Sequence, residues 1–226
     1  MLQNIGRVMG TAVGVGWLAV APAWAGPLPF SFTSTEGGTA QPGPGLSVVA
    51  LTPGALPAGV QYAATQDTGG VPNGIVRGNA SNEYSAPYIS QSAQVTDQYY
   101  STARGSITFS FAHPEGYFGL LWGSVDAGNE LTFYSGSTTL GSIFGSDITL
   151  SANGTQSLAG SRYVNVDFTQ GFDRAVATSK QVSFEFASVV AEPARQDVPE
   201  PGAFAVVMSG LVGFVALRRM RSKHAV

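Results

Sequence analysis

Carboxylates that flank short turns are the residues of this 226-residue chain that could do chemistry. Asp126 and Glu130 flank one glycine-containing turn. Asp167 and Asp173 flank a second predicted turn. Two carboxyl groups about 5–10 Å apart could serve as the acid and base of a glycoside hydrolase. The oxygens of Asp126, Asn129 and Glu130 could instead bind a hard cation such as Ca²⁺, although these residue types also belong to ordinary solvated turns.

Other patterns that resemble catalytic motifs are incomplete. Asp67-Thr68-Gly69 matches the triplet of aspartic proteases, but that chemistry needs two such carboxylates and the chain has one triplet. His113 precedes a proline, which predicts a surface turn. The chain has no cysteine, which excludes disulfides, thiolate metal sites and thiol catalysis. We therefore predict no catalytic residues, no cofactor and no enzymatic activity.

The net charge of the chain indicates which kinds of partner it can bind. Residues 26–197 contain six basic and thirteen acidic residues, so this segment carries a net charge near −7. Proteins that bind nucleic acids neutralise phosphates with lysine and arginine, and an acidic segment is unsuited to that contact. We expect no nucleic-acid partner.

The N-terminal residues 1–25 have the pattern of a secretory signal peptide. Arg7 precedes an apolar stretch over residues 8–21, and Ala23-Trp24-Ala25 supplies the small residues that signal peptidase recognises. A stretch of about 14 apolar residues is short for a membrane span of about 20. We expect signal peptidase to cleave before Gly26.

The C-terminal residues 198–226 consist of three parts. Pro199-Glu200-Pro201 is a stiff, extended motif, because each proline restricts its own backbone and that of its predecessor. Residues 202–217 carry no charge and predict a short transmembrane helix, and Arg218, Arg219 and Arg221 follow it in the basic tail 218–226. The positive tail would stay in the cytoplasm.

These three C-terminal parts, behind an N-terminal signal peptide, resemble the PEP-CTERM sorting signal. The resemblance implies that exosortase, a membrane enzyme, recognises and removes residues 198–226. It further implies transient membrane anchoring and then transfer to the cell surface or extracellular matrix of a Gram-negative bacterium. The run over 117–126 and the apolar segments that begin at Leu131, Tyr163 and Phe184 resemble exosortase-dependent surface proteins.

Residues 26–197 predict one exported all-β domain. Apolar and polar residues alternate over 106–113, 130–135, 163–168 and 182–190, and residues 117–124 are more continuously apolar. Six prolines exclude helix from the Pro/Gly-rich stretch 26–60, and the best-defined strands lie within 104–190. Strands without intervening helices predict an antiparallel β-sandwich or jelly roll.

Aromatic residues suggest a sugar-binding surface as one possible function. One candidate is a sugar-stacking platform formed by Trp122, Tyr117, Phe133 and Tyr134. Strand aromatics are more often core residues, and Trp122, which lies in an unbroken apolar run, is predicted to be core. Four tyrosines in a polar stretch are predicted to be exposed and are the first candidates for glycan contact: Tyr84, Tyr88, Tyr99 and Tyr100.

The sequence predicts that this protein is an exported structural protein of the cell surface or the exopolysaccharide matrix. The alternative is a carbohydrate-binding module at the cell surface. A secreted glycan hydrolase that uses one of the carboxylate pairs is the third hypothesis.

Overall fold

The computed structural model describes residues 28–42, 47–65, 70–181 and 183–194. The predicted signal peptide, the Pro-Glu-Pro motif, the sorting helix, its basic tail and Asp67-Thr68-Gly69 lie outside the described residues. Within the described ranges, no helix combines the length and apolar character that a membrane crossing requires.

More than half of the described residues lie in β-strands, and the named strands pair antiparallel. Its elements are, in order, β1 (Phe30–Glu36), β2 (Val49–Ala50), β3 (Val60–Ala64), β4 (Gly74–Val76), β5 (Tyr88–Ser90), β6 (Ala93–Gln94), β7 (Tyr99–Thr102), β8 (Gly105–Gly123), β9 (Asn129–Ser135), β10 (Thr138–Phe144), α1 (Gly145–Ile148), β11 (Arg162–Ser179) and β12 (Phe184–Pro193). The predicted all-β, antiparallel class is confirmed.

Two long strands, β8 and β11, pair with each other in two stretches that are separated by a shift in register. One stretch of each strand belongs to one sheet and the other stretch belongs to a second sheet. Residues 105–110 of β8 and 174–179 of β11 form a front sheet with β3, β9 and β10. Residues 117–122 of β8 and 162–167 of β11 form a back sheet with β1, β12, β7 and β4, and β2 also pairs with β12. Apolar side chains of the two sheets meet in a sandwich-like core.

Two predicted turns are wrong, because each lies inside one of these long strands. Residues 113–116 belong to β8, and residues 167–173 belong to β11. The strand register shifts between Asp167 and Arg174, opposite Glu115 of β8. Such irregularities bend a strand without ending it, which lets one strand pass from the front sheet to the back sheet. Pro114 accepts a hydrogen bond at its carbonyl oxygen from the Ala194 backbone N–H.

The core between the sheets is rich in aromatic rings. Phe109 and Phe133 of the front sheet contact Phe118 of the back sheet at ring-centroid distances of 6.3 and 5.5 Å. Trp122 is fully buried and its ring stacks on that of Phe184 at 4.3 Å. The prediction that Trp122 belongs to the core is confirmed.

A second, smaller apolar cluster covers the outer face of the back sheet. Here Val76, Ala86 and Tyr99 pack with Ala187 of β12 beneath the segment that includes β5 and β6. The prediction that Tyr99 and Tyr100 are exposed is wrong, because β7 lies between β4 and β12 and both its faces are covered. Tyr99 faces this outer cluster, whereas the ring of Tyr100 stacks on Phe186 in the main core.

Candidate functional site

A polar cleft of about 310 Å³ lies where the 82–85 and 153–156 segments meet the ends of β8 and β12. Its lining combines three acids, two amide side chains, two serines, one tyrosine and one glycine. These are Glu83, Asp126, Glu185, Asn82, Gln156, Ser124, Ser183, Tyr84 and Gly154. We call this region the acidic cleft. None of the described residues that line it is a lysine, an arginine or a histidine.

Unusual backbone conformations shape the acidic cleft. Ser124 follows β8 with φ of 45°, and Asn82 has φ of 62°, a left-handed region that non-glycine residues rarely adopt. Gly154, with φ of 72°, donates its N–H to the Val125 carbonyl at 3.0 Å and so holds the 153–156 segment against the end of β8. Residues strained in this way tend to cluster at functional sites.

Glu185 is the most unusual side chain of the acidic cleft, because only 1% of the residue is exposed. Its Oε1 accepts hydrogen bonds from the Ser85 backbone N–H at 2.9 Å and from the Ser183 hydroxyl at 2.5 Å. Its Oε2 is buried and has no hydrogen-bond partner among the described residues. Burial raises the pKa of Glu185, the two hydrogen bonds oppose that rise, and the carboxylate of Asp126 adds to it.

Asp126 also lines the cleft and lies in the turn between β8 and β9. Its Oδ1 accepts the Gly128 backbone N–H at 2.6 Å, a short-range contact typical of aspartate in turns. Burial raises the pKa of Asp126, while the backbone N–H groups of Gly128 and Asn129 counteract the rise. The cleft therefore brings together two carboxyl groups whose charged forms are both disfavoured by burial.

A second recess continues from the acidic cleft and shares Asn82, Tyr84 and Gln156 with it. This recess of about 470 Å³, which we call the amide arm, is also lined by Asn79, Ala80, Ser81, Ser85, Tyr88 and Gln94. The Asn79 side chain accepts the Ala86 N–H at 2.7 Å, and Gln94 donates to the Ala86 carbonyl at 2.9 Å. These bonds fix both amide groups on the wall of the arm.

The two tyrosines of this surface that remain accessible are Tyr84 and Tyr88. Both are half-buried, and Tyr84 packs edge-on against Tyr99 at a centroid distance of 6.4 Å. Tyr84 lines the acidic cleft and the amide arm, whereas Tyr88 lines the arm alone. Of the four tyrosines singled out in the sequence, these two lie on a recessed polar surface.

The structure separates the three residues that the sequence suggested as cation ligands. Asp126 lines the acidic cleft. Asn129 is fully buried, and its amide group accepts from the Ser179 hydroxyl at 3.0 Å and donates to the Ser183 carbonyl at 3.4 Å. Glu130 accepts a hydrogen bond from the Thr132 hydroxyl. Asn129 and Glu130 do not line the cleft.

The remaining residues considered for catalysis are dispersed. Asp167 lies in the back sheet beside Tyr117, and burial raises its pKa. Asp173 lies at the register shift of β11, next to the front sheet, and accepts the Gly136 backbone N–H at 2.7 Å. His113 is exposed. Across the described ranges, no group of three or more His, Asp or Glu side chains is arranged to hold a metal ion.

Sequence reasoning missed a second pair of buried carboxyl groups, Glu115 and Glu192, which are 8% and 6% exposed. Burial raises the pKa of Glu115 to about 7, and the neighbouring charge of Glu192 adds to the rise. Glu192 accepts the Ser47 backbone N–H at 2.5 Å, and its other oxygen has no partner among the described residues. The sequence at 113–116 predicts a turn, and only the continuity of β8 shows that Glu115 is buried.

Comparison with known proteins found one weak structural similarity. No family model matches the chain, and no curated protein matches it. Among solved structures, a mutant of CBM29-2, a family 29 carbohydrate-binding module, is similar over 69% of this chain and 98% of that chain. The two share 11% of their residues, with a TM-score of 0.33. This value is too low to establish a common fold, so the sandwich is described from its own strand pairing.

Proposed function

We propose that this chain is a non-catalytic glycan-binding domain that acts outside the inner membrane. The observation that carries the proposal is the continuous polar surface formed by the acidic cleft and the amide arm. Their volumes of about 310 and 470 Å³ lie within the usual range of roughly 300–1,000 Å³ for ligand sites. The lining offers amide, carboxyl and hydroxyl groups beside two tyrosine rings.

This set of groups suits the chemistry of sugars. Sugar hydroxyls both donate and accept hydrogen bonds, and amide side chains such as those of Asn82 and Gln156 offer both kinds of partner. A tyrosine ring presents an apolar face together with a polar hydroxyl, so Tyr84 and Tyr88 can pack against the C–H face of a sugar ring. The surface has no basic side chain among its described residues, which favours neutral over anionic glycans.

A glycan array probed with the purified full chain, with and without CaCl₂, tests the proposal. We expect binding to at least one neutral polysaccharide. Tyr88→Ala should weaken that binding at least tenfold, because it removes a ring from the amide arm. Tyr134→Ala is the matched control, since Tyr134 is also half-buried but lies on β9 under the Arg174 guanidinium.

The outcomes of this experiment are distinct. Absence of binding to every glycan would contradict the proposal, as would equal weakening by Tyr88→Ala and Tyr134→Ala. Release of reducing sugar from a bound glycan, lost in Glu185→Gln, would contradict the non-catalytic part and favour a hydrolase that uses the carboxyl pair of the cleft.

We also propose that the chain is sorted to the cell surface or the exopolysaccharide matrix. The support is the sequence of its ends: the Ala23 and Ala25 cleavage pattern, and the Pro199-Glu200-Pro201 motif followed by an uncharged stretch and arginines. Strand β12 ends at Pro193, so the proline motif follows the folded domain after only a few residues. In this proposal exosortase and signal peptidase are processing partners.

The intact mass of the native protein tests the sorting proposal. We expect a chain that begins at Gly26, ends near Pro199–Pro201 and is found outside the inner membrane. Glu200→Ala should retain the C-terminal segment and stay in the inner-membrane fraction. A native chain that keeps residues 202–226 would contradict the proposal.

A further inference from the structure

The buried carboxyl group of Glu185 has one oxygen for which the described residues supply neither a hydrogen-bond donor nor a positive charge. Oε1 is satisfied by Ser85 and Ser183, but Oε2 is shielded from solvent and accepts no hydrogen bond from the described chain. A buried carboxylate in this condition is costly unless a proton or a cation neutralises it. No basic side chain is present among the described residues that line the cleft.

Asp126 makes the problem more severe. It lines the same cleft and brings a second carboxyl group to it. Two carboxyl groups that repel one another in a partly dehydrated space are relieved when a divalent cation binds between them. The neutral oxygens needed to complete its coordination are available in the lining, from the Ser124 hydroxyl and the Gln156 amide.

We propose that the end of the acidic cleft between Glu185 and Asp126 binds one Ca²⁺ ion. The donors are all oxygen, which selects a hard cation over a transition metal that prefers imidazole or thiolate. Ca²⁺ accepts six to eight ligands in flexible geometry, whereas Mg²⁺ requires a compact octahedron and retains its water. An open cleft with two carboxyl groups and several neutral oxygens therefore suits Ca²⁺ better.

The number of charged ligands sets the expected affinity. Three acids line the cleft, and the proposed site uses Asp126 and Glu185 but not Glu83, because no group of three acids among the described residues is arranged to hold a metal ion. Sites of low charge in extracellular modules bind Ca²⁺ with Kd values of about 10⁻⁴–10⁻³ M. Ca²⁺ binding does not depend on the proposed glycan, so the two properties can be measured separately.

Isothermal titration of the purified, metal-free full chain with CaCl₂ at pH 7.5 tests the site. We expect one saturable site with Kd between about 0.1 and 1 mM. Glu185→Gln and Asp126→Asn should each weaken binding at least tenfold, because each removes one of the two charges. Asp97→Asn is the matched control, since its side chain is 91% exposed and does not line the cleft, and it should leave Kd unchanged.

The two variants keep the test decisive if one of them is unstable. Glu185→Gln preserves side-chain size and the oxygen that accepts from Ser85 and Ser183, and Asp126→Asn changes only a partly buried turn. The proposal is overturned if the native chain shows no saturable binding up to 10 mM CaCl₂, or if both variants bind as tightly as the native chain. A chain that binds Ca²⁺ but no glycan would support this site and contradict the glycan proposal.

Discussion

Replacing Glu115 by glutamine should make the domain more stable at neutral pH and remove part of its pH dependence. Glu115 is 8% exposed, and burial beside Glu192 raises its pKa from 4.5 to about 7. The folded chain therefore binds this proton more tightly than the unfolded chain does. The contribution of Glu115 to stability is then greatest below pH 4.5, falls as the pH rises towards 7, and is lost above that value.

The size of the effect follows from the two pKa values. One pH unit of difference corresponds to about 1.4 kcal/mol, so ionising Glu115 costs the folded state about 3 kcal/mol at pH 8. Glu115→Gln should raise the free energy of unfolding by up to that amount at pH 8 and change it little at pH 4. With m values of roughly 1–3 kcal/mol/M, the urea midpoint at pH 8 should rise by roughly 1–3 M.

Urea unfolding followed by tryptophan fluorescence between pH 4 and 8 measures this difference, because Trp122 is fully buried in the folded domain. Glu130→Gln is the control, since it removes the same charge from a half-buried position and should follow the pH profile of the native chain. Glu192→Gln should move the Glu115 transition to lower pH. Parallel pH profiles for the native chain and Glu115→Gln would refute the reasoning.

Two further substitutions test the packing. Trp122→Ala should lower the free energy of unfolding in urea by about 3–5 kcal/mol, because it removes the ring that stacks on Phe184 and leaves a cavity. Trp122→Phe should cost less, and equal costs for the two variants would contradict this stacking. Gly160→Ala should cost about 1–3 kcal/mol, because a Cβ there would lie 1.7 Å from the Thr155 carbonyl oxygen; an unchanged urea midpoint would contradict this close approach.

The strands that alternate most clearly could be predicted from the sequence, because one face of each is buried against the opposite sheet. Phe109 and Phe111 of β8, like Val164 and Val166 of β11, point into the core as their spacing predicts. The bends of β8 and β11 could not be predicted in the same way. A proline followed by glycine at 114–116 is typical of a turn, and only pairing with two different sheets shows that the strand continues.

The error over the tyrosines has a different cause. The polar composition of residues 84–100 predicts exposure, but β7 is an inner strand of the back sheet. Polar neighbours then form hydrogen bonds within a covered layer, as the Tyr99 hydroxyl does with the Gly78 carbonyl. Local composition does not determine burial where a later strand supplies the partner.

Only one of the two carboxyl groups of the acidic cleft could be predicted from the sequence, because the cleft is assembled from segments that are distant in the chain. Asp126 lies in a turn of the kind that attracts attention as a possible ligand. Glu185 occupies a polar position in an alternating strand, which in an uncovered sheet would place it in solvent. The 82–85 segment covers that face and encloses the carboxyl group. Because a distant segment buries Glu185, only the folded structure shows that its carboxyl group shares a cleft with Asp126.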